Sequence, residues 1–342
     1  MVVALYTGIA PLFLAAEERY KVIAETLDLL EDKPSQASPP INSLLAQHKE
    51  KTVNENFDLT VSKKSFGYSE KDAEIFEDSG NDLPDWLKRT SYGIIIESGQ
   101  KMRCYFETVQ PLYQSADKIH TFFTHDRVSV QDGRGAYSAG FGYRRLLLNE
   151  NLLAGINGFF DYQDLHKHYR SGLGLELIAK TLEFRLNSYF ALSPRRLVEE
   201  SGTTKIYEKA VNGGDVELGG PIPYLPWFKM FGSYYRYDFR KFKDMTGWKV
   251  RGEITPFEFI KLNLETYDDN KGRQEYRMDV RFNFAFHDFS LRSLCSAFKL
   301  PKEPYPDIDL KEKTLVRVER NFNIQVEKWS DSGNIIEIKR GN

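Results

Sequence analysis

The chain has 342 residues, with 47 Lys and Arg against 49 Asp and Glu. That near-neutral balance argues against a nucleic-acid partner, which calls for a clustered basic excess. Charged residues make up 28% and aromatics 14%, mean hydropathy is −0.49, and past residue 17 no apolar run reaches the roughly 20 residues a spanning helix needs. A membrane barrel escapes that last exclusion, because its lipid-facing and lumen-facing residues alternate and average out.

Leu5 to Ala16 is apolar, rich in Leu, Phe and Ala, and has the length of an export-signal core, so residues 1–16 read as a signal peptide. No Lys or Arg precedes the run, and Leu14 stands where a small residue is preferred. A buried N-terminal helix is the alternative. Residues 17–30 then carry Val22, Ile23, Leu27 and Leu30 on one helical stripe, followed by Pro34, Pro39 and Pro40 and a polar stretch over 47–82. Residues 17–89 are therefore expected to be a small helical piece and a flexible periplasmic segment.

From Ser91 to Phe286 the pattern changes to alternating apolar and polar residues punctuated by turn residues. It predicts twelve strands, over 91–98, 101–110, 120–130, 136–147, 151–162, 170–178, 181–191, 213–222, 227–239, 246–255, 259–267 and 274–286. In 181–191, Leu182, Phe184, Leu186 and Phe190 share one face and Glu183, Arg185, Asn187 and Tyr189 the other. In 246–255, Trp248, Val250 and Ile254 oppose Lys249, Arg251 and Glu253. In 274–286, Tyr276, Met278, Val280 and Phe282 oppose Arg277, Asp279 and Arg281. Side chains alternate across a strand, so each strand has one apolar and one charged face.

Alternation does not say which face points inward: a soluble β protein buries the apolar face, and a membrane barrel turns it out. Three features favour the barrel. The polar face mixes both signs, as a packed lumen would. Aromatics crowd the strand ends, at Tyr137, Tyr143, Phe160, Trp227, Tyr237, Phe239 and Trp248, as interfacial girdles do. Connections alternate in length, short at 148–150, 179–180 and 256–258 and longer at 163–169, 192–212, 240–245 and 268–273, although 111–119 breaks the pattern. The expected fold is all-β: a transmembrane antiparallel barrel of about twelve strands over 90–288, with Glu183, Arg185, Arg251, Glu253, Arg277, Asp279 and Arg281 facing the lumen and holding together its charge network. The soluble β core remains the alternative.

The hairpin over 140–162 resembles the signature of inverse autotransporter barrels, the intimin and invasin family. Gly140, Gly142, Tyr143 and Arg144 lead through a short turn to Leu153, Gly155, Asn157, Phe159, Phe160, Asp161 and Tyr162, and Gly172, Gly174 and Glu176 follow in the next strand. Asp85 to Arg89, Glu107 to Tyr113, 216–227 and 315–329 add to the likeness, which spans about 84–329. The resemblance implies an outer-membrane anchor and translocator, inserted by the barrel assembly machinery, whose C-terminal linker (289–342 here) re-enters the barrel and threads the pore. In that family a passenger of stacked Ig-like domains follows and binds host or neighbouring cells. Only about a dozen residues follow Trp329, so the expectation is a barrel without a passenger, and a receptor enters only through one. The peptidoglycan-binding module common in the family has no counterpart in 17–89. The expected setting is the bacterial outer membrane, with lipid as the partner, a single-chain barrel and the N-terminal segment in the periplasm.

Candidate chemistry is sparse. A hydrolase of the kind one twelve-stranded outer-membrane barrel performs needs a Ser nucleophile and a His base within reach, and neither His125 nor His287 has a local Ser partner of that kind. His166 and His168 have a spacing a metal could use, yet an exposed loop at a strand tip explains them more simply. Gly172 and Gly174 lack the third glycine of a dinucleotide loop, and Glu176 and Glu183 fit lumen packing better than acid–base work. Cys104 and Cys295 read as separate thiols, a bridge between them being the minor alternative. No enzyme activity, cofactor or metal is expected. A narrow channel and a lipid hydrolase are the alternative functions.

Overall fold

The computed structural model describes residues 84–202, 204–257, 259–284, 298, 300–305 and 307–331. The expected signal peptide, the 17–30 helix and Cys295 lie outside the described residues.

After a single helical turn α1 (Asp85–Lys88), twelve antiparallel strands close into a barrel in the order β1-β14-β13-β12-β11-β10-β7-β6-β5-β4-β3-β2. They are β1 (Thr90–Glu97), β2 (Arg103–Gln114), β3 (His120–Gln131), β4 (Arg134–Leu147), β5 (Leu152–Gln163), β6 (His168–Ala179), β7 (Glu183–Ala191), β10 (Asn212–Ile222), β11 (Leu225–Asp238), β12 (Met245–Phe257), β13 (Ile260–Asp269) and β14 (Glu275–Asn283). Closure comes from β1 pairing with β14, from Ser91 opposite Asn283 to Glu97 opposite Arg277. Closure removes sheet edges, and with them the unpaired backbone groups that hydrocarbon cannot solvate. We call the end where β1 begins the near mouth and the other the far mouth.

The apolar faces lie outside. Phe141, Leu173, Leu175, Ile156, Tyr234 and Leu264 are all exposed, while Glu107, Arg144, Arg170, Arg251 and Glu253 are buried. A soluble core would reverse that assignment, so the lipid-facing arrangement holds. Rings pair along the outer surface: Phe122 with Tyr143 at 4.6 Å toward the near mouth, and Tyr137 with Tyr162 at 6.2 Å toward the far mouth.

Three expectations are corrected. Tyr237 and Phe239 do not join an outer girdle. Both are buried, packed with Tyr189, Val211 and Met245. Tyr237 follows the inward parity of Ser233 and Tyr235, since alternate side chains of a strand share one face. The predicted loop 192–212 instead contains a hairpin, β8 (Arg196–Ser201) and β9 (Thr204–Ala210). With β15 (Val326–Ser330) it forms a second, three-stranded sheet in the order β15-β9-β8. Finally, β6 begins at His168, so His168 is no loop residue but a fully buried one.

Candidate functional site: a threaded lumen

Glycine and charge on the inner wall shape a passage, and residues 307–331 occupy it. At the near mouth, Lys180 pairs with Asp307 at 2.5 Å and Lys311 with Glu150 at 2.8 Å. A 3-10 turn, Leu310–Lys313, is capped by the Asp309 carboxylate, which accepts from the Lys311 amide at 2.9 Å. Its Leu310 is buried against Leu146, Leu153 and Ile178. Burying Leu310 among these three aliphatic side chains removes its apolar surface from water and anchors the segment at this mouth.

Arg144 marks the next level. It donates from Nε and Nη2 to both oxygens of Glu176, at 2.6 and 3.2 Å, and from Nη1 to the Thr314 and Val316 carbonyls at 3.1 and 2.6 Å. A planar guanidinium can serve a carboxylate and two carbonyls at once, which an ammonium cannot do with fixed geometry. Above it, Val318 packs on Val109, Phe123 and Phe159, and its amide donates to Nδ1 of His125 at 3.3 Å. Glu107 gathers Arg317 of the segment at 2.9 Å, Arg127 at 3.0 Å and Arg281 at 3.3 Å.

Asp161 is the counterpart anchor near the far mouth. It accepts from Arg320 at 2.9 and 2.8 Å and from Arg170 at 2.7 Å. Arg170 also donates to the Asn323 carbonyl at 2.9 Å and to that of Asn321. Tyr189 and Tyr237 hydroxyls accept from the Asn321 amide and side chain, each at 2.8 Å. Beyond them Ile324 packs on Ala210, and β15 pairs with β9 from Val326 opposite Ala210 to Ser330 opposite Ile206. Glu327 is buried there and accepts from the Lys241 and Phe242 amides. The segment thus runs from one mouth to the other, with its backbone groups satisfied by wall side chains in place of a sheet ladder.

The glycines of the signature are close-approach positions. A Cβ at Gly142 would lie 2.2 Å from the Phe123 ring, and one at Gly140 would lie 2.3 Å from that of Phe159. Gly155 makes room for Glu176, Gly174 for Asn157, and Gly172 for Arg320 of the threaded segment. Phe160, Tyr162 and Tyr143 point outward, Tyr143 accepting or donating one hydrogen bond with His120 Nδ1 at 2.7 Å.

The seven residues expected in the lumen network stand on the inner wall, in the other half of the barrel. Arg185 pairs with Glu183 and, at 3.0 Å, with Glu217; Arg251 reaches Glu217 at 2.6 Å and Glu253 at 3.1 Å. Arg277 bridges Glu97 and Glu265 at 2.9 and 3.3 Å, and Arg281 lies 3.9 Å from Asp279. Their partners are other inner-wall residues, Glu97, Glu107, Glu217, Lys229, Lys261 and Glu265 as well as one another. Most hydrogen bonds to the segment come from β2 to β7, among them those of Glu107, His125, Arg144, Asp161, Arg170 and Tyr189, and Tyr237 of β11 adds one near the far mouth. Between the segment and the β11–β14 wall a cavity of about 140 Å³ remains, lined by Asp215, Arg251, Arg277 and Glu319 among others. That holds a few waters and no polypeptide. Glu217 and Glu107 escaped the sequence-based selection although the same alternation places both on inner faces.

The residues weighed for chemistry are engaged structurally. His125 is stacked edge-on to Phe159 and Phe322. His168 Nδ1 lies 2.9 Å from Ser193 Oγ, and His166 and His168 share one oxygen of Glu208 at 3.2 and 3.0 Å. Among the described residues no group of three or more His, Cys, Asp or Glu could hold a metal ion. Cys104 is a free, exposed thiol.

Comparison with known proteins agrees with this geometry. Residues 43–294 match the family described as inverse autotransporter, beta-domain. The inverse autotransporter adhesin YeeJ of Escherichia coli K12 is 25% identical over 217 residues, which cover 59% of this chain and 9% of that protein. The putative attaching and effacing protein homolog of the same organism is 27% identical over 132 residues, covering 39% of this chain and 42% of the relative. The chain therefore spans less than half the length of either relative. Among solved structures, a chain from work on the in-meso crystallization of membrane proteins superposes with a TM-score of 0.55 at 20% identity, covering 70% of this chain and 99% of that one, a likeness of fold. With the signature hairpin, the closed twelve-stranded wall and the apolar exterior in place, this chain belongs to the inverse autotransporter β-domain family of outer-membrane barrels.

Proposed function

We propose that the barrel is a membrane anchor and translocator that displays whatever polypeptide is joined to its C-terminal end. The near mouth faces the periplasm and the far mouth the cell surface. The observation that carries this reading is the course of residues 310–330, which enter beside Leu146 and Leu153 and emerge paired to β9. A polypeptide already lying along the lumen, held by named wall residues, is the geometry that a conduit filled by its own linker requires. The mixed longer loops and the β8–β9 hairpin then stand outside, and the N-terminal segment stands in the periplasm. Adhesion, which the name of one relative states for that protein, would belong to a displayed domain and not to the wall. Insertion by the barrel assembly machinery follows from the class of fold.

An epitope fused after Asn342 tests this. On intact cells, antibody should label the epitope without permeabilisation. Labelling that appears only after the outer membrane is opened would put the far mouth in the periplasm and sink the proposal.

A further inference from the structure

Arg103 is the anomaly of the lumen. Arg127, Arg144, Arg170, Arg185, Arg251 and Arg281 are buried, and each has a carboxylate at 2.6 to 3.3 Å. Arg103 is 7% exposed, and among the described residues no carboxylate oxygen lies within 4.0 Å of its nitrogens. Its guanidinium donates only to neutral amides, to Gln131 from Nε and Nη2 at 3.2 and 2.6 Å and to Asn323 of the threaded segment from Nη1. Those bonds leave part of its donor fork free. Arg277 and Arg127 repel it, and Glu97, which attracts it, is already held by Arg277 at 2.9 Å. A buried charge ordinarily has a counter-charge beside it.

Arg103 lines a cavity of about 670 Å³ at the far mouth, enclosed by the ends of β1 to β5 and β14 and floored by Phe322, Asn323 and Ile324 of the segment. Lys101, Arg134 and Lys271 stand around the same space, against two acids, Asp132 and Glu275. Both acids are engaged: Asp132 pairs with Lys101 at 2.5 Å, and Glu275 accepts from the Tyr267 hydroxyl at 2.8 Å. Arg134 is exposed and forms no hydrogen bond or ion pair among the described residues. The cavity is therefore cationic, with a buried guanidinium at its base and a free one on its rim. Neutral polar groups make up much of the rest. The Ser129 hydroxyl is one, and Gln100 and Asn323 accept from Gln131 and Arg103 through oxygen, which leaves their amide nitrogens as donors.

We propose that this cavity is a binding site for a small acidic sugar, one that bears a carboxylate or a phosphate, with the anion on Arg103 and Arg134. The planar fork of Arg103 matches either anion, and the anion supplies the counter-charge that the wall does not. The volume exceeds what a carboxylate or phosphate fills by itself and falls in the range of small-molecule sites, about 300–1,000 Å³. Donors from Ser129, Gln100 and Asn323 suit the hydroxyls that surround the anion of a sugar. Arg103 and Ser129 are inner-wall residues and the floor is the segment, so the ligand arrives along the barrel axis and not from the bilayer. That the ligand comes from outside the cell rests on the orientation proposed above.

The test uses the purified full chain in detergent micelles, titrated calorimetrically with glucuronate, glucose-6-phosphate, glucose and inorganic phosphate. Micelles have no inside or outside, so a failure here leaves the anchor reading untouched. At least one of the two acidic sugars should bind, with glucose and inorganic phosphate each about tenfold weaker or more. Arg103→Gln should weaken that binding about tenfold to hundredfold while the barrel keeps its gel shift on boiling. Arg134→Ala, on the exposed rim, should weaken it about twofold to fivefold, which supplies a reading if Arg103→Gln disturbs the segment. Arg236→Ala, whose guanidinium pairs with Asp238 and Asp244 outside the cavity, should change nothing. Binding of neither acidic sugar, glucose or phosphate binding as tightly as the acid, or an affinity indifferent to both Arg103→Gln and Arg134→Ala overturns the site.

Discussion

At the scale of single residues, the lumen is held by side chains that each serve two masters, wall and segment. Arg144 is the sharpest case: Arg144→Met strands Glu176 in the interior and releases the Thr314 and Val316 carbonyls. Breaking one side of a buried pair costs about 3–5 kcal/mol, whereas removing both charges is far milder. In urea unfolding from vesicles, Arg144→Met should lose most of that amount and Arg144→Met with Glu176→Leu should recover much of it. Equal losses in the two would mean that the ion pair is not what the position contributes. Gly142→Val tests packing in the same layer. Its Cβ would lie 2.2 Å from the Phe123 ring, and overpacking of this sort costs about 1–3 kcal/mol. The temperature at which the folded band converts on a detergent gel should fall accordingly. Arg144 and Gly142 were both legible as motif residues. Their partners in the segment were not, because Arg144 meets Thr314 across 170 positions of chain and no local pattern links them.

Elements carry a different lesson. The twelve barrel strands were legible because apolar and polar residues alternate along most of them between turn residues, and the observed bounds depart from the expected ones by a few residues at most in the described chain. β8, β9 and β15 were not legible. They are short, rich in charged residues, and stable only as a set, with Tyr207 stacked on Trp329 at 6.1 Å. One tie between this sheet and the barrel is Glu208 of β9, which meets His166 and His168. Burial pushes the Glu208 carboxyl up, but hydrogen bonds and charge from the two histidines outweigh it and leave it below its ordinary 4.5. A depressed carboxyl contributes stability that is present above about pH 4.5 and is lost as pH falls through the lowered value. Protease cleavage of the 196–210 hairpin in vesicles should therefore accelerate on acidification below that range. In Glu208→Gln cleavage should be faster at neutral pH and largely indifferent to acid. A pH response of equal size in both proteins would remove Glu208 as its source.

At the scale of the whole molecule, the wall and the segment together make a closed body. Twelve strands enclose a narrow interior, and residues 310–325 run through it, leaving a cavity of about 140 Å³ beside β11–β14 and one of about 670 Å³ at the far mouth beside Phe322, Asn323 and Ile324. Deleting 307–342 should turn the barrel into an open pore, with discrete conductance steps in planar bilayers where the full chain gives none. Silence from a deleted barrel that still shows the boiling shift would mean that wall side chains alone close it, and that the narrow-channel alternative fails as well.

The sequence by itself determined the number of barrel strands, their period and the glycine positions, because those depend on neighbours two residues apart and on turns. It did not determine which face is inside, since a period of two reads the same when the sheet is turned over. That was decided by closure of β1 on β14, which puts Glu107, Arg127, Asp161 and Arg170 in the interior, where a buried charge needs a counter-charge. Only the tertiary structure supplied those counter-charges, Arg317 for Glu107 and Arg320 for Asp161, brought back through the lumen by a segment that is remote in sequence and forms no strand until it meets β9.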